Sequence, residues 1–501
     1  MPNRTSHIRR LAGLALIATA GVAQACGSAT TDAGGSQPDA SFTLTRGATT
    51  LSLPPAGTLS TFIKATRTTG FTGAITYQVT GAPTGLTVTL ANTTVADSST
   101  LTVSAAGTLA PANYPVSIDA TAPGAIAQHA ELTVTVTPPG NGGPAIKLLA
   151  TGVHTCALAA TGAAYCWGLD VDGQLGNDET SQINPRPVRV AGVLTFQSLA
   201  VSKVDAVSCG LTTDGAAYCW GRNVDGQLGD GTTTRRLSPT RVAGGLTFKT
   251  LAVGYEHSCG LTTNGVAYCW GESTGGAFGD GTSGVHVAPS VAAPGMTFDS
   301  IVAGGDYTCA LTAAGAGYCW GRGQSGQLGN GLTASSTTPV AVSGGLTFRS
   351  LTAGGMTVCG LTAAGKAYCW GHDFYGSIGD GSSGTTDGVT RRVVPTAVAG
   401  GLTFKSLSAG YLTTCGVTDA GAGYCWGYNF GAVGDGGGSD HRAVPTAVSG
   451  GLVFQSISSG TALSCGVTVG NVAYCWGDNA NGALGDGTTV ARGTAMPVGW
   501  Q

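Results

Sequence analysis

Apolar residues in this chain come in short alternating runs rather than at helical spacing. Within one block, Thr247–Val253, Ser258–Thr262, Val266–Trp270 and Pro289–Ala292 are rich in β-branched, aromatic or small apolar side chains. Gly, Asn and Asp fill the gaps between them. Runs this short, bounded by turn formers and without a persistent 3.6-residue period, predict four strands A to D and no helix. The block recurs. Its Cys-Trp-Gly core places Trp167, Trp220, Trp270, Trp320, Trp370, Trp426 and Trp476 at steps of 50 residues, lengthened to 53 and 56 at two of them. One such unit cannot bury its own apolar face, so a fixed period predicts units packed on one another. Seven four-stranded units predict an all-β chain ending in a seven-bladed β-propeller over residues 145–501, which leaves only short protected edges. Terminal strands from both ends are expected to share in closing the ring.

Of the 15 cysteines, 14 fall into pairs with nine residues between the partners. The pairs are Cys156 with Cys166, Cys209 with Cys219, Cys259 with Cys269, Cys309 with Cys319, Cys359 with Cys369, Cys415 with Cys425, and Cys465 with Cys475. Gly265 lies just past the midpoint of one pair. A three-residue hairpin loop ending in a left-handed glycine fits there and sets Cys259 opposite Cys269. That register gives a non-hydrogen-bonded pair, with Cα atoms about 4.5 Å apart, a distance a disulfide tolerates. Seven cross-strand disulfides are expected. A zinc site is the rival, but the spacing lacks recurring histidine partners. Each tryptophan beside a second cysteine points to the opposite face of its strand and is expected in the core between units. So is the apolar residue of each Gly-x-φ-Gly turn, where φ is apolar: Leu175, Leu228, Phe278, Leu328, Ile378, Val433 and Leu484.

The runs WGRNVDGQLGDGT (Trp220–Thr232) and WGRGQSGQLGNG (Trp320–Gly331), with Gly254-Tyr255-Glu256-His257 before strand B, resemble the repeat of the regulator of chromosome condensation family. The resemblance covers residues 145–501 and implies a propeller. It also implies guanine-nucleotide exchange, which ranks last among the functional readings because export would separate the chain from cytosolic GTPases. Two departures stand out. The histidine is kept at His154 and His257 but reads Tyr307, Thr357, Thr413 and Leu463 elsewhere. The second repeat carries Ser202-Lys203-Val204-Asp205, two residues longer, where others have a Gly-led turn.

Residues 1–25 read as a signal peptide: Arg4, Arg9 and Arg10, then the apolar run Leu11–Val22, then Ala23-Gln24-Ala25. The run is too short to span a bilayer. Cys26 follows directly, as in a lipid-anchored bacterial lipoprotein, while Ala-Gln-Ala also suits ordinary cleavage and secretion. Either route places the chain outside the cytoplasm, in a bacterial envelope or surface, where paired cysteines oxidise. Residues 26–40 form a Gly/Ser/Thr/Asp tether. Residues 41–138 lack Cys and Trp and alternate through about seven short strands. They predict an immunoglobulin-like β-sandwich acting as a spacer, joined by a linker at 139–144.

Net charge is −3 and charged residues make up only 10%, which argues against nucleic acid as a partner. No Ser-His-Asp order, phosphate loop or metal-ligand cluster stands out, so no enzyme activity, cofactor or metal is expected. The Asp or Asn of each Gly-Asp turn, as at Asp230, Asp280, Asn330 and Asp486, reads as a turn former rather than a calcium ligand. Binding is the better case. In an up-down meander the A–B and C–D loops share one face. There the third to sixth repeats collect Tyr255, Glu256, Asp306, Tyr307, Phe374, Tyr375, Tyr411, Tyr428 and Phe430, beside a long loop at Gly381–Arg392. Loop aromatics suit hot spots for a protein partner, or stacking platforms for a glycan. A monomer is expected.

Overall fold

The computed structural model describes residues 42–53, 58–68, 70–91, 97–106, 112–136, 143–383, 391–437 and 439–500. The expected signal peptide, Cys26, the tether, much of the 139–144 linker and most of the long loop after Gly381 lie outside these residues.

Eight strands come first, from Phe42–Arg46 to Gln128–Val136, in two four-stranded sheets. Both sheets contribute to one apolar core that includes Phe42, Ile63, Val103, Val116 and Val134. Alternation drives this sandwich: along Thr58–Arg67, Ile63 and Ala65 point inward while Lys64 is exposed. Eight strands stand where about seven are expected, and the short Thr50–Leu53 pairs parallel to Gln128–Val136.

Seven consecutive four-stranded antiparallel meanders follow, each built from one unbroken stretch of chain. In the third, strands A to D are Phe248–Val253, His257–Thr262, Ala267–Ser273 and Gly284–Ala292. Strand A of each meander touches strand A of the next, and that of the seventh touches that of the first. The A strands are therefore innermost and the D strands outermost.

The hairpin register is the expected one. Cys259 lies opposite Cys269, and Gly265 sits at φ +83°. In the seventh repeat Asn471 takes this left-handed position at φ +62°, in keeping with the tolerance of Asn for it. All seven expected disulfides are present, with Cα atoms 4.0–4.1 Å apart. In chain order Cys156 is bonded to Cys166, Cys209 to Cys219, Cys259 to Cys269 and Cys309 to Cys319. Cys359 is bonded to Cys369, Cys415 to Cys425 and Cys465 to Cys475. Each pair also stands directly opposite in the register of strands B and C, as Cys219, Cys319, Cys369 and Cys425 do with their partners. Every one of these sulfurs is buried, so the zinc alternative has no free thiolates to draw on within the repeats.

Each apolar core lies between two repeats. Cys156, Cys166 and Leu175 of the first pack with Phe196 and Trp220 of the second. The same arrangement joins the ends: Cys465, Cys475 and Leu484 of the seventh pack with Ile146 and Trp167 of the first. The seven Cys-Trp-Gly tryptophans are fully buried. Trp220, Trp270, Trp320, Trp370, Trp426 and Trp476 each donate their indole N–H to a carbonyl of the preceding repeat, at 2.8–3.0 Å. Trp167 donates to Ala483 O of the last.

The ends meet without exchanging strands, contrary to the sequence expectation. Arg492–Pro497 is strand D of the seventh repeat and pairs only with that repeat's own strand C. Side chains close the junction instead. Trp500 packs edge-on against Tyr165 and Trp167, with centroids 5.3 and 6.0 Å away. The Ile146 amide donates to Asn471 O at 2.8 Å. The odd turn at Ser202–Asp205 serves the same junction. Lys203 Nζ reaches Thr151 O of the first repeat (3.3 Å) and Ser459 O of the seventh (2.7 Å), and Thr461 Oγ1 donates back to Lys203 O. Burial lowers the Lys203 pKa to about 8.

Candidate binding face

The A–B and C–D loops emerge together, and the structure sorts the expected site residues among them. Phe374 and Phe430 are 41% and 50% exposed, large values for phenylalanine beside a packed core. A chain of ring contacts connects them. His372 stacks on Phe374 (5.0 Å between centroids), Phe374 meets Tyr375 edge-on (4.9 Å), Tyr375 meets Tyr428 (4.8 Å), and Tyr428 stacks on Phe430 (6.2 Å). Tyr375 adopts φ +59°, a left-handed conformation that is uncommon for a bulky residue and is held only where surrounding structure fixes it.

Tyr411 belongs with this group. Met356, His372, Phe374, Tyr375, Tyr411 and Leu412 line a recess of about 300 Å³. His372 Nδ1 accepts the Phe374 amide at 3.1 Å, which leaves Nε2 as the protonated nitrogen of the neutral ring. Burial lowers the His372 pKa, favouring that neutral form. Tyr411 also meets Tyr255, with centroids 6.2 Å apart, although their turns belong to repeats three apart. The backbone between them must be bare: a Cβ on Gly355 would lie 2.9 Å from the Tyr255 hydroxyl.

The expectation for Tyr307 is corrected. It is fully buried, and its hydroxyl lies 3.1 and 3.0 Å from Gly354 O and Thr357 O. It fills the slot held by His154 and His257, which reach Ser208 (2.6 Å) and Thr308 (3.0 Å) in the next repeat. Tyr307 is core and offers no surface to a partner. Asp306 does lie on the face, half-buried and paired with Arg322 at 3.1 Å.

Glu256 has company that the sequence did not reveal. Its carboxylate, that of Glu272 and that of Asp225 from the preceding repeat have oxygens within 4.8 Å of one another. Burial raises the Glu256 pKa first, and Glu272 and Asp225 add to it. Arg222 approaches Asp225 (3.6 Å) and Asp205 (3.2 Å). The turn acids behave as structure. Asp230, Asp380, Asp435 and Asp486 bind Arg236, Arg392, Arg442 and Arg492 at 2.6–2.7 Å. Burial alone would raise these carboxyls, but hydrogen bonds from neighbouring turn groups and the paired arginine hold them below the usual range.

These features define a disulfide-stapled repeat protein of the β-propeller class. The profile of the regulator of chromosome condensation (RCC1) repeat matches residues 161–212, 214–261 and 315–361, and a second profile of that repeat matches 248–277. The chain carries repeats of the regulator of chromosome condensation family. Over 109 residues it is 32% identical to the ultraviolet-B receptor UVR8 of Arabidopsis thaliana, covering 21% of this chain and 24% of that one. Over 117 residues it is 33% identical to the human E3 ubiquitin-protein ligase HERC2, covering 23% of this chain and 2% of that one. The aligned stretches thus span about a quarter or less of these relatives. Human WBSCR16 superposes with a TM-score of 0.61 at 20% identity, covering 67% of this chain and 93% of that one. Prp20p of Saccharomyces cerevisiae superposes with a TM-score of 0.61 at 21% identity, covering 68% and 87%. Likeness at this identity concerns the fold. Among the described residues, no helix is long and apolar enough to cross a membrane.

Proposed function

We propose that the chain is an exported, non-enzymatic scaffold whose A–B and C–D loop face binds a protein partner. In this reading residues 145–501 close into a seven-bladed ring, and residues 41–138 are an immunoglobulin-like spacer. The spacer holds the ring away from a bacterial surface, to which Cys26 attaches it if lipidated. The observation that carries the proposal is the continuous aromatic path from His372 to Phe430, with both phenylalanines exposed. Aromatic rings cost little conformational entropy to place and dominate interface hot spots. The seven disulfides suit an oxidising compartment. Prp20p, of similar fold, is described as binding Gsp1p and histones, which supports protein recognition by such a ring without indicating the same targets.

The parallel stacking of Tyr428 on Phe430, 7° between planes, favours a glycan as the second reading, since sugars lie flat on exposed rings. Capture from the source organism's envelope and medium on the immobilised full chain separates the two. Loss of capture after protease treatment of the extract supports a protein partner. Loss only after glycosidase treatment transfers the proposal to a glycan.

A further inference from the structure

The face is built from the same framework positions in every repeat, but their chemistry changes around it. The residue before strand B's first position is Glu256 in the third repeat and Asp306 in the fourth, then Met356 and Leu412 in the fifth and sixth. The residue after Cys-Trp-Gly is Arg222, Glu272 and Arg322 in the second to fourth, then His372 and Tyr428. The second to fourth repeats therefore make a charged half of this stretch, and the fifth and sixth an apolar and aromatic half. In the charged half, among the described residues, the carboxylates of Asp205, Asp225, Glu256, Glu272 and Asp306 have two guanidinium partners, Arg222 and Arg322. The surplus is negative. It centres on Glu256 and Glu272, which have no ion pair among the described residues within 4.0 Å. In the apolar half lies the recess bounded by Met356, His372, Phe374, Tyr375, Tyr411 and Leu412. The two halves touch: Glu256 follows Tyr255, and Tyr255 packs on Tyr411, a wall of the recess.

We infer that the face docks a polypeptide loop that seats one large apolar side chain in the Met356–Leu412 recess and lays a lysine or arginine against Glu256 and Glu272. This deepens the protein-partner reading and rests on it. Charge complementarity selects the occupant. A purely apolar ligand would fill the recess and leave the neighbouring carboxylates unpaired, while a cationic residue alone would leave the recess wet. The recess, about 300 Å³, has room for even the largest apolar side chain. Tyr255, next to Glu256 in the chain, packs on Tyr411 of the recess wall, so one extended segment of the partner can reach both subsites. The charged contact sets on-rate and specificity, and the buried apolar anchor sets affinity.

The test uses a random dodecapeptide library displayed on phage, selected on the full chain. Binding of enriched peptides is then measured against F374A/H372A, against E256Q/E272Q, and against the unchanged chain at low and high salt. All proteins are matched by thermal melting, so that a misfolded variant is recognised and replaced by F374S or E256Q alone. The expected outcome is enrichment of sequences pairing a large apolar residue with Lys or Arg. Their affinity should fall at least tenfold in either variant, about 1.4 kcal/mol, and the salt dependence should weaken in E256Q/E272Q. Enriched peptides without basic residues, or insensitive to E256Q/E272Q, overturn the paired-subsite inference while leaving an apolar protein-binding face. Peptides insensitive to both variants overturn the loop-face reading itself. No enrichment, with glycan-array binding lost in F374A/H372A, overturns the polypeptide occupant in favour of a sugar. No enrichment and no glycan binding counts against a short loop as the occupant.

Discussion

The indole nitrogen of Trp167 donates to the carbonyl of Ala483, 2.9 Å away and 316 residues later in the chain. The Cys-Trp-Gly tryptophans of the other six repeats make this bond to the repeat just before them, so the first repeat treats the last as its predecessor. Ala483 O also accepts Thr155 Oγ1 at 2.9 Å. Replacing Trp167 by Ala should destabilise the repeats by about 3–5 kcal/mol, the usual range for a buried aromatic. Trp320→Ala should do the same. Denaturant melts of the two variants check this. Near-neutrality of W167A alone would mean that the ends are not joined in solution.

The turn that presents Ala483 leaves no room for a side chain. Gly485 has φ +71°, and a Cβ there would stand 2.6 Å from Trp167 Nε1. Gly400 also has positive φ, +87°, but open space around it. Gly400→Ala should therefore cost only the left-handed strain, about 1–2 kcal/mol. Gly485→Ala should add roughly 1–3 kcal/mol of overpacking to that. Comparing the two melting curves separates strain from collision.

Each disulfide closes a short hairpin already held by its register. The chain-entropy argument gives each a ceiling of roughly 2.5–3 kcal/mol, reduced because the loop is local. Replacing Cys259 and Cys269 together by Ser should thus lower stability by about 1–2 kcal/mol and leave the fold intact. Alkylation under denaturing, non-reducing conditions, followed by intact-mass measurement, should find no free thiol within residues 145–501.

Buried bases make stability depend on pH in two windows. Burial lowers the His154 pKa to about 3 and that of His257 to about 4, against about 6.5 when unfolded. As pH falls below 6.5 the unfolded chain takes up protons that the folded chain refuses, so stability falls until the folded groups titrate. H154Q/H257Q should flatten that slope by up to two protons. Lys203, lowered to about 8, acts in the alkaline window. Between pH 8 and about 10.5 the unfolded chain holds the extra proton, so stability rises with pH there, and Lys203→Met should abolish the rise. Chemical denaturation at several pH values reads both.

The repeat architecture was legible because its signals are local and repeated: cysteine spacing sets a hairpin register, and tryptophan period sets the packing unit. Side chains meeting across repeats were less legible. Tyr307 stands in the His257 slot of the aligned repeats, and that alignment foretold its burial better than its loop position did. Met356 and Leu412 are unremarkable until packing sets them beside His372. Asp225, Glu256 and Glu272 come from two repeats and gather only when those repeats pack. Lys203 was visible as an irregular turn, but its role depends on carbonyls in the first and seventh repeats.

A photo-crosslinking amino acid placed at Phe430, and separately at Val193, tests the binding face most directly. Val193 is 96% exposed in the loop between strands D and A, at the opposite end of the strands. Each full-length protein is irradiated in the presence of the source organism's envelope and medium. The account predicts a protein adduct from position 430 and none from 193. Adducts from 193 alone, or equally from both, would contradict it.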